Sequence, residues 1–242
     1  GESESYIIKE EPKRFIIDEN RLDDAIDSLK KGNDLTNEEI EILLQASVMN
    51  ARRGFETLGI DTKNNSLNGF CELGQALSLM PLENIGLEVT KNSATGSFDY
   101  PFNHAFGTVT FPYNGATKTY LIDTTYRQFF TTNRCNEGRY YQEEENTGLK
   151  VAPDPGYFVE DKDFARSLMR NGYIELTEET ATKYGEAFNK ASIPLKDIDK
   201  INDSNINYYQ RILNDREDYK ISSGELEGLN VVFNDKTNVN KI

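Results

Sequence analysis

Three residues of this chain have side chains that together could carry out covalent acyl-transfer chemistry: Cys71, His104 and Asp123. A cysteine thiolate is a nucleophile, an imidazole passes protons, and a carboxylate holds the imidazole in one tautomer. His104 is the single histidine among 242 residues. A thiol, a base and a carboxylate in this order along the chain therefore predict a Cys-His-Asp triad.

The residues around Cys71 predict that a helix begins at or next to it. The pair Asn68-Gly69 is a turn signal, and apolar residues recur at helical spacing after Cys71. The free N–H groups and the positive dipole end at a helix N-terminus stabilise a thiolate. We expect Pro81 to stop this apolar stripe, which consists of Leu73, Ala76, Leu77 and Met80.

His104 and Asp123 lie at the open end of a predicted hairpin. An alternating segment runs from His104 to Phe111, a turn contains Asn114-Gly115, and a second alternating segment ends at Asp123. If the chain turns at Asn114-Gly115, the numbers of paired residues add up to about 229, within a residue or two. His104 then faces positions near 125, and Asp123 comes within its reach.

Each of these three residues also has an ordinary structural explanation. A lone cysteine is more often a small buried hydrophobe, a lone histidine is often a satisfied structural residue, and a strand-terminal aspartate often belongs to a turn. The three together favour the catalytic interpretation. A Zn²⁺ site on the same residues ranks lower, because no pair has the short helical spacing of metal ligands. A disulfide between Cys71 and Cys135 stays open, also ranked below the catalytic interpretation.

Around these residues the sequence resembles a known superfamily. The segment Gly69-Phe70-Cys71-Glu72, His104 on a strand and Leu121-Ile122-Asp123-Thr124-Thr125-Tyr126 are similar to the Cys-His-Asp core of transglutaminase-like, papain-fold enzymes. His104 follows Cys71 far more closely than the roughly 130–150 residues of papain-type proteases. The compact spacing is closest to toxin- or effector-type glutamine deamidase domains, and is similar to arylamine N-acetyltransferases. The resemblance implies that Gln128 supplies part of the oxyanion hole.

The predicted fold is α+β, with an antiparallel sheet packed on the Cys71 helix and further helices before and after it. We divide the chain into an N-terminal extension (1–35), a catalytic core (36–150) and a C-terminal helical flank (151–242) that belongs to the same domain. The predicted helices are Asp18–Lys31, a long one with a Thr36/Glu39 capping box, 161–170, 177–190 and one capped by Asp203 or Ser204. Outside the hairpin, we predict strands at Ile85–Thr90 and Leu229–Phe233 and a loop at Lys91–Phe102.

Charge and hydropathy exclude several classes of partner. The formal net charge is −14 and the isoelectric point is near 4.6, which disfavours nucleic acid and anionic membrane surfaces. No apolar run approaches the roughly 18 residues of a membrane span. The polar, acidic start predicts no signal peptide, although a leader removed during maturation stays open. The acidity suits a soluble protein and leaves a basic partner as an alternative.

These observations predict a cysteine-dependent enzyme that acts on an amide of a protein or peptide substrate without a cofactor or metal. Deamidation, transamidation and peptide cleavage would all use the same triad. Two alternatives stay open: a non-catalytic binding module on the same fold, and an N-acyltransferase with an acyl-thioester donor. The resemblance implies a bacterial effector or toxin, secreted or delivered to a host cell, but the sequence leaves the compartment open.

Overall fold

The computed structural model describes residues 12–13, 15–60, 62, 67, 69–95, 103–130, 160–191 and 216–218. It confirms the α+β class: within these ranges, α-helices pack on an antiparallel sheet of strand order β4-β3-β2-β1-β5. The elements are α1 (Glu19–Lys30), α2 (Asn37–Thr57), α3 (Cys71–Asn84), β1 (Glu88–Thr95), β2 (Asn103–Tyr113), β3 (Ala116–Ile122), a 3₁₀ helix (Tyr126–Phe130), α4 (Lys162–Asn171), β4 (Tyr173–Glu175), α5 (Glu178–Ala191) and β5 (Arg216–Asp218).

Side-chain caps start the first two helices where the sequence predicts them. Asp18 accepts hydrogen bonds from two backbone N–H groups of α1. Thr36 and Glu39 form the predicted capping box of α2, with bonds of 3.1 and 2.9 Å. The predicted apolar face of α2 is buried, and the helix packs mainly against α3 and α1. The largest apolar cluster includes Leu22, Ile26, Leu43, Leu44, Leu79, Leu82, Val109 and Phe111.

Helix α3 begins at Cys71 but does not stop at Pro81, so that part of the prediction is wrong. The helix continues to Asn84 with Pro81 inside it. A proline has no N–H to donate to the carbonyl four residues earlier, which here belongs to Leu77. The buried side chain of Asn50 on α2 donates to this carbonyl at 2.7 Å. A long-range partner thus replaces the missing helical bond and offsets part of the cost of the proline.

The first strand lies later in the chain than predicted. Residues 85–87 form a turn in which Gly86 has a φ of +93°, and β1 runs from Glu88 to Thr95. Consequently, Lys91 to Thr95 belong to a strand and not to the predicted loop. They find hydrogen-bonding partners along β2, from Gly107 to Asn103. Pairing with a distant strand overrides the local preference of these small polar residues for a loop.

The predicted hairpin is confirmed, and its strands are slightly longer than expected. Asn114 and Gly115 both have positive φ, 50° and 74°, as a two-residue hairpin turn requires. Paired residues run from Tyr113 with Ala116 to Gly107 with Ile122, which is the predicted register. Asp123 therefore directly follows the last paired residue of β3. The turn and the register place this carboxylate at the open end of the hairpin.

The C-terminal segment contributes to the same sheet. The predicted helices 161–170 and 177–190 are confirmed as α4 and α5, and the strand β4 between them was not predicted. Strand β4 pairs with β3, and the Asp123 N–H donates to the carbonyl of Gly172 at 2.9 Å. The predicted helix at Asp203 or Ser204 and the strand Leu229–Phe233 lie outside the described residues. Within the described ranges, no helix is long and apolar enough to cross a membrane.

Candidate active site

The hairpin joins His104 to Asp123. His104 Nε2 donates to Asp123 Oδ2 at 2.7 Å, and the two side chains are buried. His104 is the second residue of β2 and pairs with Ala94 of β1, while Asp123 follows β3. Because the aspartate accepts from Nε2, Nδ1 is the ring nitrogen left for a second interaction.

Cys71, at the first position of α3, is the second residue that interacts with the imidazole. Its half-buried thiol is in no disulfide and lies close enough to the His104 side chain for each group to change the pKa of the other. Burial alone raises the pKa of the Cys71 thiol. The hydrogen bond with His104, the charge of the imidazolium and the N–H of Ala105 outweigh burial, so the pKa lies below that of an ordinary thiol. Ala105 follows His104, so β2 supplies both groups that stabilise a thiolate.

His104 carries the proton of this pair. Burial by itself lowers the pKa of the imidazole, but the charge and hydrogen bond of Asp123, helped by Cys71, raise the pKa to about 9. A raised pKa on the imidazole and a lowered one on the thiol favour an imidazolium–thiolate pair near neutral pH. This is the form in which a cysteine attacks a carbonyl without first losing a proton.

Four donors hold the Asp123 carboxylate. On Oδ2, the hydroxyl of Tyr184 donates at 2.7 Å beside His104. On Oδ1, the N–H of Thr125 donates at 2.9 Å and its hydroxyl at 3.3 Å. A carboxylate that accepts from all sides cannot rotate without breaking bonds, so its orientation is well determined. The orientation of the imidazole is determined with it.

Aromatic rings surround the His104–Asp123 pair. The ring of Phe129 meets the imidazole edge-on at a centroid distance of 4.8 Å. Phe106 lies 5.2 Å from Tyr184, which in turn stacks on Tyr126 at 5.2 Å. These rings help to keep water away from the His104–Asp123 pair, whose two side chains are buried. A dry environment strengthens the electrostatic interaction between the imidazolium and the carboxylate.

Gln128 lies on the Asp123 side of the site. It is buried in the 3₁₀ helix, and its amide N–H donates to the Thr125 hydroxyl at 3.0 Å. Gln128 therefore supports a residue that bonds to Asp123, and its part in an oxyanion hole stays a prediction.

The start of α3 is a second place where an oxyanion could bind. Phe70 precedes α3 without a side-chain cap, and the first helical bond runs from the Gly74 N–H to the Phe70 carbonyl. The N–H groups before Gly74 are therefore suited to bind an oxyanion.

Gly74 lets the first turn of α3 approach the Asp123 segment. A Cβ at this position would overlap the Thr124 hydroxyl oxygen and lie 3.1 Å from Phe55 Cζ. Sequence reasoning missed this role because glycine within an apolar helical pattern merely lowers helix propensity. It missed Thr125 and Tyr184 as well. Two threonines after an aspartate are a signal for a local side-chain bond and could have pointed to Thr125.

We expect Gly74→Ala to push the start of α3 away from His104. Since an added methyl group must displace Thr124 or Phe55, turnover should fall by roughly tenfold to a hundredfold and the protein should lose about 1–3 kcal/mol of stability. The measurements are kcat/KM and the free energy of unfolding. Adding Thr124→Ala removes the overlapping hydroxyl and should restore part of both. Full activity in Gly74→Ala alone would show that this close approach does not position Cys71.

Cys71 should be the reactive thiol at neutral pH. Because its pKa is lowered, Cys71 has a larger thiolate fraction at neutral pH than an ordinary cysteine of pKa about 8.5. We expect iodoacetamide to label Cys71 faster than Cys135, with a rate that falls less than that of an ordinary thiol as the pH falls from 8 to 7. Peptide mapping of the folded protein over this pH range measures both. In His104→Gln the rate should acquire an ordinary thiol profile, and faster labelling at Cys135 would refute the assignment.

Two other interpretations of the site can be compared with the structure. In the part of the chain that is described, no cluster of three His, Cys, Asp or Glu side chains has the geometry to hold a metal ion. Cys135 lies outside that part, so a Cys71–Cys135 disulfide stays untested, although Cys71 is a free thiol here.

Comparisons of the chain with protein-family models, with curated proteins and with solved structures found no match.

Proposed function

We propose that the protein is a cysteine-dependent acyl-transfer enzyme that acts on an amide. The observation that carries this proposal is the single histidine, which bonds a buried carboxylate and interacts electrostatically with a thiol at a helix start. The reciprocal pKa changes of Cys71 and His104 support it, because functional sites are where such changes concentrate.

The geometry suggests a reaction in two halves. The Cys71 thiolate attacks the amide carbonyl carbon, and the negative charge moves to the carbonyl oxygen, where the N–H groups at the start of α3 stabilise it. As the C–N bond breaks, the His104 imidazolium donates its proton to the departing nitrogen. The products are an amine or ammonia, a Cys71 thioester and a neutral imidazole.

The second half regenerates the enzyme. His104 removes a proton from water or an amine, which attacks the thioester and expels the Cys71 thiolate. Water yields an acid, and an amine yields a new amide. Throughout both halves, Asp123 holds the imidazole in the correct tautomer and stabilises the imidazolium.

Glutamine in a protein is the substrate class that we propose. The resemblance to toxin- and effector-type deamidases supports it, and so does a helix that carries a nucleophilic cysteine against an antiparallel sheet. A net charge of −14 favours a basic surface around the target glutamine. An acyl-thioester donor would use the same triad, so substrate identity is the part of the proposal to be tested first.

The experiment is intact-mass spectrometry of basic proteins and glutaminyl peptides incubated with the enzyme. Deamidation adds about one dalton per site, transamidation adds the mass of the amine less ammonia, and proteolysis divides the substrate, because each reflects a different acyl acceptor. The matched control is Cys71→Ser. No mass change that depends on Cys71, together with a thiol no more reactive than a free cysteine, would favour a binding module instead.

A further inference from the structure

We infer that Tyr184, on the C-terminal helix α5, is a positioning residue of the triad that acts on His104 through Asp123. Its hydroxyl donates to Asp123 Oδ2 at 2.7 Å, the same oxygen that accepts from His104 Nε2 at the same distance. This inference rests on the proposed function. It adds a fourth residue, contributed from a segment that follows the core in sequence.

The tyrosine is held so that its hydroxyl has little choice of partner. Its side chain is 0% exposed, and its ring stacks on Tyr126 and meets Phe106 edge-on. Its own carbonyl accepts from the Tyr126 hydroxyl at 3.3 Å. Any buried tyrosine hydroxyl needs an acceptor. In this structure the acceptor is the carboxylate that orients the base.

The shared oxygen is the reason for a role beyond packing. Two donors on Oδ2 divide its negative charge, so Tyr184 limits how strongly Asp123 stabilises the His104 imidazolium. Without the hydroxyl, the carboxylate would favour the imidazolium more strongly and could rotate about its Cβ–Cγ bond. His104 would then hold its proton more tightly and give it up more slowly to the leaving nitrogen.

The titratable groups that face His104 come from three directions. Cys71 approaches from α3, Asp123 follows β3, and Tyr184 and Tyr126 lie behind the carboxylate from α5 and the 3₁₀ helix. Burial raises the pKa of each tyrosine well above its usual value, so both hydroxyls stay protonated donors. A change in the titration of His104 after replacement of Tyr184 therefore reports the Asp123 link.

The test is NMR of the imidazole in the untagged protein, whose single histidine gives unambiguous signals. In Tyr184→Phe we expect the imidazole pKa to be higher by roughly one pH unit, the size expected when a hydrogen bond to a charged group is lost. On an amide substrate, kcat should fall roughly tenfold with little change in KM, because the buried Tyr184 cannot touch the substrate.

Tyr126→Phe is the matched control, because it removes a buried hydroxyl from the same aromatic group that does not bond the carboxylate. It should leave the imidazole pKa unchanged. If Tyr184→Phe fails to fold, 3-fluorotyrosine at position 184 keeps the hydroxyl and makes it a stronger donor. The fluorinated protein should then show a lower imidazole pKa.

Each outcome decides the inference separately from the proposed function. A pKa change in Tyr184→Phe that is absent in Tyr126→Phe supports the inference, whether or not the substrate is known. Identical titrations in wild type and Tyr184→Phe, or equal changes in both variants, overturn it. Wild-type protein that turns over no amide contradicts the proposed function, and the titration still measures the link between Tyr184 and His104.

Discussion

Replacing Cys71 or His104 by alanine is expected to abolish nearly all amide turnover, and the double variant should be scarcely worse than either single one. Each single loss should reach roughly 10⁴-fold or more in kcat/KM. The reason is that both residues serve the same reaction, so the second replacement finds almost no activity left to remove. The thiolate depends on His104 for its low pKa, and His104 has no proton to deliver without an acyl-enzyme to form.

Steady-state kinetics of both single variants and the double variant on one substrate measure this. His104 is buried and Cys71 is half-buried, so circular dichroism and melting curves must first show that the variants fold. Ser78→Ala on the same helix is a useful control, because its hydroxyl bonds only helix carbonyls there. Losses that multiply in the double variant would mean that Cys71 and His104 act independently. The two residues would then not form one catalytic unit.

Asp123→Asn is expected to reduce both activity and stability. Misplacing the imidazole or fixing the wrong tautomer should cost roughly 10²–10⁴-fold in kcat/KM. The stability loss follows from the donors around the carboxylate, two on each oxygen. An asparagine side chain has one acceptor oxygen and one NH₂ group, so in either orientation the NH₂ must face two donors. We expect a loss of about 1–3 kcal/mol in the free energy of unfolding.

Asp161→Asn is the matched control for this prediction. Asp161 caps α4 through a bond of 2.9 Å from the Phe164 N–H, and asparagine caps helices about as well as aspartate. Activity and unfolding free energy should both stay close to wild type in this variant. An Asp123→Asn protein that keeps wild-type activity would show that His104 does not need the carboxylate.

The local sequence was sufficient for the part of the site that depends on one hairpin. Asn114-Gly115 accepts the positive φ angles of a two-residue turn, and the turn determines the pairing register. The meeting of His104 and Asp123 follows from that register. Helix starts were predictable for a similar reason, because a cap such as Thr36 bonds to residues within one turn of itself.

Other features depended on partners far away in the sequence. Pro81 is tolerated inside α3 because Asn50, on another helix, bonds the freed carbonyl. The end of β1 was misplaced because Lys91 to Thr95, whose own preference is for a loop, pair with β2. Asn50 and β2 both lie far in sequence from the residues that they bond. Local propensity therefore predicted that α3 and β1 end where the structure continues them.

Only the tertiary structure showed what holds Asp123 in place. Tyr184 lies 61 positions after Asp123, and many tyrosines in the chain have the same local signature. Gly74 looked like an ordinary helical glycine until Thr124 was placed against it. The sequence determines the chemistry of each side chain, but packing determines its hydrogen-bond partner. A buried polar group has no water to bond, so it must bond to the polar group that packing places beside it.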